Sequence, residues 1–577
     1  MKKVIISLLC CACLVPSILL AANKLTLNYK ITGIQEARLK NALARLQAAQ
    51  GDMLLNKDEI EGLYQQGAKN IRQALQPYGY FKASILTQQL THDGPQWTAS
   101  YHVTRGIPLK IAHVNIVLEG PGKHAVFFKH LLSHFPVKAG QPFSTANFDK
   151  ARQAFFAMAR NNGYMKAKMF KQQVRINLQA YNAIIIFHMT TGKRYQFGKI
   201  RFNKNPFNND FLTHYANFTS GEVYSAKKLT TFQQNLSNSR YFQQVLVHPG
   251  IAKAQDKDIP INVNVTPVRP QHYSLGVGYA TDTGSRASIG WQWRRITASG
   301  HHLSTRIGTA WKTGETISAT YYIPGADPVT DVYAINTSFV NNIAPVGTRR
   351  TQNYGLSYTT GQGFWRETIG IVYTLENFEI NKTETTAKQS GYSALLMPHI
   401  SWTRIETDNP IKPSYGTKFK IDLRGSNKVV FSNTSFLQIV ASGKWIQPIT
   451  HWNRLVLRGT AGITITNNVN ELPLSKRFTA GGSQSVRGYG YKSLGPGKYL
   501  LVGSAELQQR VYGNWFVGAF YDIGNAFNNI KTPRLKRSPG VAIIWMSPIG
   551  NMELSAARAL DLEKQPWSFK FSLGALL

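Results

Sequence analysis

From Gln271 to Leu577 apolar or aromatic side chains alternate with small or polar ones, and no helical periodicity interrupts them. The stretches HYSLGVGYA, RASIGWQW and HHLSTRIGTAW set the pattern, with DTGS and ITASGH between them as turn signals. Such a run has two folded outcomes. A water-soluble β-sandwich buries the apolar face, whereas a membrane barrel turns it toward lipid and belts it with Trp and Tyr. Alternation alone does not choose between them; the N-terminus does. MKKVIISLLCCACLVPSILLAAN places Lys2 and Lys3 before an apolar core from Val4 to Leu20 and ends in Ala21 and Ala22, which predicts a secretory signal peptide over residues 1–22. Pro16 and the small residues after it argue against an uncleaved anchor. After Ala22 no apolar run is long enough for a spanning helix, so an exported chain that crosses a membrane does so as a closed barrel. At roughly 19 residues per strand and loop, the predicted barrel at 269–577 has about 16 antiparallel strands.

An internal repeat organises the chain between the signal peptide and the barrel. GYFKASI from Gly79, GYMKAKM from Gly163 and RYFQQVL from Arg240 each follow a helix-like run and open a strand. A second strand then ends in YHVT at Tyr101, FHMT at Phe187 and VNVT at Val263. Ahead of the second landmark, Phe148, Ala151, Phe155 and Ala159 recur at helical spacing, with Ser144 or Thr145 placed to cap the helix. Each unit reads strand, helix, helix, strand, strand, with boundaries at 23–107, 108–193 and 194–268.

The charge balance of 66 Lys and Arg against 29 Asp and Glu gives a net +37, which in a soluble protein would suggest nucleic acid. Export redirects that expectation toward lipid phosphates, including lipopolysaccharide, or a periplasmic partner, with a compositional lysine bias as the alternative. All three cysteines, Cys10, Cys11 and Cys13, lie in the signal segment, so the mature chain carries neither a disulfide framework nor a cysteine metal site. Enzyme signals are poor. His130 and His134 stand four apart without the glutamate a zinc hydrolase needs, and His301 and His302 sit at a hairpin turn, where solvation is expected. Ser483 lies in G-x-S-x-S rather than the nucleophile elbow G-x-S-x-G. Asp522 and Glu553 could be cast as an acid–base pair, but a structural role is expected for both. No cofactor and no metal site are implied.

The stretch RFTAGGSQSVRGYGYKSLGPG, from Arg477, sets a charged arginine among glycines and aromatics. It resembles the signature of the outer-membrane protein assembly superfamily, which takes in the BamA and TamA insertases and the two-partner secretion pores. FYDIGNAF from Phe520 and SPIGNMELSAARAL from Ser547 resemble two later stretches of that family in the same order, and the N-terminal units resemble its polypeptide-transport-associated (POTRA) domains. The resemblance implies that Val486, Arg487, Gly488 and Tyr489 belong to a loop folded into the barrel lumen, with Asp522 receiving Arg487. A partly desolvated guanidinium needs such a fixed carboxylate, which a bidentate contact supplies with planar geometry. Gly481, Gly482 and Gly524 are the supporting glycines.

Three POTRA units resemble the TamA branch. That implies an insertase or translocation subunit for unfolded outer-membrane proteins, autotransporters among them, with a TamB-like inner-membrane-anchored protein as partner. It implies no nucleic acid and no catalysis. A two-partner secretion pore is the alternative within the family; a passive porin or a barrel enzyme is the alternative outside it. The expected working part is a lateral seam between Gln271–Thr281 and Trp567–Leu577, where Gly276, Gly278 and Gly574 would weaken or kink the pairing. The terminal Leu577 departs from the aromatic residue that ends many barrels.

Overall fold

The computed structural model describes residues 25–51, 55–382, 387–409, 413–547 and 550–574. The signal peptide expected at 1–22 and Leu577 therefore lie outside the described residues.

Each repeat follows the expected order. In the first, the strand Thr26–Thr32 leads to helices Glu36–Gln50 and Lys57–Leu75 and then to strands Ser84–Asp93 and Gln96–Thr104. The second runs from Lys110–Glu119 through helices Val126–Ser133 and Thr145–Asn161 to Lys168–Asn177 and Asn182–Thr190. The third has strand Gln196–Phe202, helices Asn209–Thr213 and Ala226–Asn238, and strands Phe242–Pro249 and Asp258–Pro267. In all three sheets the strand that comes last in sequence lies in the middle. That position explains the recurring endings at Tyr101, Phe187 and Val263, whose side chains are buried against the helices. Burying an aromatic or aliphatic side chain of this size contributes about 1.5–3 kcal/mol.

Local signals set the helix limits. Asn56 caps the helix Lys57–Leu75 by accepting from the Glu59 backbone N–H, while the Glu59 carboxylate accepts from the Asn56 N–H, a reciprocal capping box. Ile60, Leu63, Gly67, Ile71 and Leu75 then fall on its buried face. In the second repeat Ser144 occupies the N-cap position, but its side chain makes no capping bond. What holds that helix is the apolar stripe Ala151, Phe155 and Ala159, fully buried.

Gly67 shows how tightly the first core is filled. A Cβ there would lie 2.0 Å from the Tyr101 hydroxyl, which donates to the Tyr64 carbonyl at 2.9 Å. Alanine favours a helix by about 1 kcal/mol over glycine. Gly67→Ala is nevertheless expected to destabilise the first repeat by about 1–3 kcal/mol, because it displaces a buried tyrosine and its hydrogen bond. The denaturant midpoint of the repeats checks this; a rise would mean that Tyr101 yields freely.

The barrel begins at Gln271 and closes with 16 strands, Gln271–Ala280 first and Trp567–Gly574 last. Its two faces resolve the ambiguity left by alternation. Tyr273, Leu275, Val277, Ile289, Ile307, Ile317, Leu356 and Ile369 are exposed on the outside. The buried positions inside include Glu376, Asp422, Arg454, Glu506, Asp522 and Ser538. Apolar outside and polar inside is the inverse of a water-soluble protein and the pattern of a membrane barrel.

The wall is uneven. The strands Gly347–Gln362, Trp365–Ile380 and Gln389–Thr407 have 16, 16 and 19 residues, whereas the first and last strands have 10 and 8. A tilted strand needs about 9–11 residues to cross the hydrocarbon core, so the first strand just reaches that length.

Candidate functional site

Between the strands Asn453–Ile465 and Tyr499–Tyr512 the chain makes a long excursion carrying Val486–Tyr489. It is pinned into the lumen. Arg487 is fully buried, with a relative exposure of 0%. Its Nε donates to Asp522 Oδ2 at 2.8 Å and its Nη2 to Asp522 Oδ1 at 2.9 Å, a bidentate contact. Its backbone N–H also donates to Asp522 Oδ2, at 3.0 Å. The structure thus brings together the two residues that the motif pairs.

The guanidinium has more partners than that. Nη1 donates to Glu506 Oε2 at 2.7 Å and to Glu553 Oε1 at 3.2 Å, while the Phe520 ring centroid lies 3.2 Å from Cζ. Ser504 donates its hydroxyl to Asp522 Oδ1 at 2.6 Å, and Arg458 approaches the same oxygen at 3.9 Å. Three carboxylates therefore converge on one guanidinium. Arg487 offsets part of the repulsion they would otherwise exert on one another.

The neighbouring motif residues fix the backbone. A Cβ on Gly488 would lie 2.6 Å from Ser538 Oγ and 3.0 Å from the Arg558 carbonyl, so only glycine lets its N–H reach Ser538 Oγ at 2.8 Å. Gly481 turns with φ of 99°, a conformation favouring glycine, and its Cα faces the Gly490 carbonyl, which a Cβ would meet at 2.3 Å. Gly482 adopts a similar turn beside Asp282, and Gly524 lets its strand lie close against Val502. Val486 and Tyr489 pack with Ala559, and the Tyr489 hydroxyl accepts from the Asp561 N–H at 3.2 Å. The excursion reaches the opposite wall as well. Ser475 N–H donates to Glu376 at 2.9 Å, Arg477 Nη2 to Gln389 at 2.8 Å, and Lys492 Nζ to Asn342 at 3.4 Å. Contacts on so many sides make the loop a plug.

The first and last strands share a single backbone pair among the described residues, Ala280 with Ser572. The adjoining ladder, by contrast, runs without interruption from Asn551 opposite Gly574 to Arg558 opposite Trp567. Side chains supply what the seam ladder lacks. Arg286 Nη2 donates to the Leu573 carbonyl at 2.7 Å, and the Lys570 ammonium pairs with Asp282. Asp282 Oδ2 also accepts the Ser483 N–H of the plug at 2.7 Å. One carboxylate thus ties the last strand and the plug to the turn after the first strand.

Gly276 and Gly278 lie on the first strand, and among the described residues neither pairs with the last strand. Both lie in a continuous ladder, opposite Ser288 and Arg286 of the second strand, and the first strand is not interrupted at either. Gly276 makes room for the Ser288 hydroxyl, which a Cβ would meet at 2.7 Å. Gly574 pairs with Asn551 on the side away from the seam. Among the described residues the two end strands meet at one pair, Ala280 with Ser572.

The histidine pairs also differ from expectation in part. His130 and His134 stack at 4.4 Å on their exposed helix. His301 and His302 are half-buried: His301 Nδ1 hydrogen-bonds the Tyr321 hydroxyl at 2.9 Å and His302 stacks on Tyr322 at 4.7 Å, because the tyrosines of the next strand lie against the turn. Sequence reasoning missed Glu506, Ser504, Phe520, Asp282 and Lys570. For Glu506 a signal was present, since it stands at a lumen-facing position of an otherwise apolar alternation, SAELQQ.

Residues 163–575 match the Omp85 superfamily domain, and residues 28–105 match POTRA domain 1 of TamA. The outer membrane protein assembly factor BamA of Nitratidesulfovibrio vulgaris is 22% identical over 381 residues, 61% of this chain and 48% of that one. BamA of Neisseria meningitidis serogroup B is 28% identical over 229 residues, 30% of this chain and 28% of that one. The chain thus spans about half the length, or less, of these curated relatives. The crystal structure of BamA from Haemophilus ducreyi lacking POTRA domains 1–3 has the same fold, with a TM-score of 0.68 at 18% identity, covering 81% of this chain and 99% of that one. A domain match across most of the chain, on a polar-lumened barrel preceded by β-α-α-β-β repeats, means that this chain belongs to the Omp85 superfamily, with its barrel in the outer membrane and its POTRA repeats in the periplasm.

Proposed function

We propose that the protein is an insertase or translocation subunit that assembles outer-membrane proteins, autotransporters among them, by adding their strands at the seam. The observation that carries this is the single backbone pair between the first and last strands among the described residues. In lipid every unpaired N–H and C=O is costly, so an edge held by so little backbone bonding is a template on which another strand gains by pairing. The short wall flanking the seam supports the same reading, since strands there part with fewer bonds broken. The assembly-factor names of two relatives agree with it. The match of residues 28–105 to a TamA domain supports the finer assignment, with the first repeat receiving a TamB-like partner anchored in the inner membrane. Because no bond is made or broken, no catalytic residue is assigned. A secretion pore for a dedicated client would use the lumen instead; the plug, tied to Asp522, Glu376, Gln389 and Asn342, weighs against that route and against a passive porin.

The test is reconstitution. Vesicles containing the full chain are expected to speed the folding of an unfolded autotransporter barrel relative to protein-free vesicles, read as the appearance of its heat-modifiable form. Equal rates in the two would overturn the insertase reading. In envelope extracts the same chain should retain a large inner-membrane-anchored protein, and loss of residues 23–107 should abolish that retention; unchanged retention would move the docking surface elsewhere.

A further inference from the structure

At the periplasmic rim of the barrel, against the end of the third repeat, lies a cavity of about 560 Å³ walled in part by Arg240, Arg294, Arg366, His302, Tyr215 and Tyr241. The three guanidiniums come from three separate elements. Arg240 precedes the strand Phe242–Pro249 and takes a φ of 64°, a left-handed conformation that a side-chain-bearing residue adopts only under constraint. Arg294 follows the second barrel strand, and Arg366 lies near the start of the strand Trp365–Ile380. Among the described residues none of the three makes an ion pair or a side-chain hydrogen bond, whereas elsewhere in the barrel Arg424 pairs with Asp422, Arg404 with Glu406 and Arg537 with Asp561. The carboxylate on the cavity wall, Asp331, is already bonded by the hydroxyls of Thr330 at 2.9 Å and Thr360 at 2.7 Å. Three guanidiniums against that one carboxylate leave the cavity with excess positive charge, and a cleft with low-dielectric walls concentrates the potential. The cavity therefore favours an anion.

Its position selects the kind of anion. His302, Ser304 and Thr359 on the wall alternate with Ile307 and Leu356, which face lipid, so the cavity opens on the lumenal side, away from the acyl chains. Gln292, also on the wall, pairs with His272 of the first strand, one strand from the weakly paired edge. Guanidiniums match carboxylate and phosphate geometry alike, so it is the lumenal opening, away from the lipid, that favours a polypeptide's carboxylates.

We propose that this cavity docks the carboxylates of an unfolded client polypeptide, holding an acidic segment beside the first strand before that strand's edge is extended. The proposal rests on the reading of the chain as acting on polypeptide clients. Its test measures binding without insertion, so failure of one is distinguishable from failure of the other.

The experiment uses the full chain in non-ionic detergent and short glutamate-rich or lysine-rich peptides carrying a neutral dye, with anisotropy as the readout. The glutamate-rich peptide is expected to bind and the lysine-rich one not. The combined Arg240→Gln, Arg294→Gln, Arg366→Gln variant should bind about tenfold more weakly or worse. The single Arg366→Gln should show an intermediate loss and serves if the combined variant does not fold. A control with Lys531→Gln, Arg534→Gln and Lys564→Gln in the outer loops should bind like the parent. Unchanged binding by the arginine variants, or an equal loss in the control, would overturn the proposal. So would displacement of binding onto anionic lipid vesicles that the same arginine variants abolish, since that would give the cavity to lipid phosphate.

Discussion

Arg487→Ala is expected to release the plug. Removing the guanidinium leaves Asp522 and Glu506 buried and Glu553 half-buried without their shared partner, with Arg458, Arg454 and Lys444 farther off, and breaking a buried ion pair from one side typically costs about 3–5 kcal/mol. The loop can avoid that cost by leaving the lumen and admitting water. Asp522→Ala should cost less, because Arg487 keeps Glu506 and Glu553. The double variant should fall well short of the sum of the singles, since the carboxylate left behind by one is removed by the other. A cysteine introduced at Ser485, with Cys10, Cys11 and Cys13 each replaced by serine, reports the loop position through its labelling rate. Fast labelling in Arg487→Ala with a smaller rise in Asp522→Ala is the expected order. Parental labelling rates in both would sink the idea that the cluster holds the plug, and strict additivity would mean the two residues act apart.

The second large effect is expected at the seam. Ala280 and Ser572 are direct backbone partners, and facing residues in an antiparallel pair lie about 4.5–5.5 Å apart, inside the range a disulfide spans. Continuing the register places Gly278 opposite Gly574. With Ala280→Cys and Ser572→Cys, or Gly278→Cys and Gly574→Cys, oxidation should join the first and last strands covalently while leaving the barrel folded and heat-modifiable. Client assembly should then stop, and a reductant should restore it. A one-residue shift in either cysteine puts the thiols on opposite faces and provides the uncrosslinked control. Oxidised protein that still assembles clients at the reduced rate would refute strand addition here and favour passage through the lumen.

How far the sequence could be read follows from what each kind of signal contains. The repeats were legible because their landmarks are local: Gly79 and Gly163 in left-handed turns, and the buried endings of the central strands. Arg487 and Asp522 were legible as parts of a resemblance. The other carboxylates were not assigned to Arg487, because which strands' lumenal positions meet inside a barrel depends on its stagger, which no single strand encodes. Asp282 lay in DTGS, read only as a turn, and Lys570 in WSFKFSLG, read only as a strand; their pairing joins positions nearly the whole barrel apart in sequence. The part the seam glycines play is not written in one strand either: Gly276 and Gly278 accommodate side chains of the second strand, and among the described residues the two end strands share the pair Ala280 and Ser572.

Asp282 has a thermodynamic consequence. Because the same carboxylate holds Ser483 of the loop and Lys570 of the last strand, the position of one alters the free energy of moving the other, and such a coupling is equal in both directions. A strand that wedges the wall apart also loosens the stopper in the lumen, and any ligand that draws the stopper outward lowers the work of parting the wall. The barrel then has one opening equilibrium with two visible faces, and an antibody or peptide gripping the outer loop from the cell surface would tune assembly from the far side of the membrane without touching the edge where it occurs.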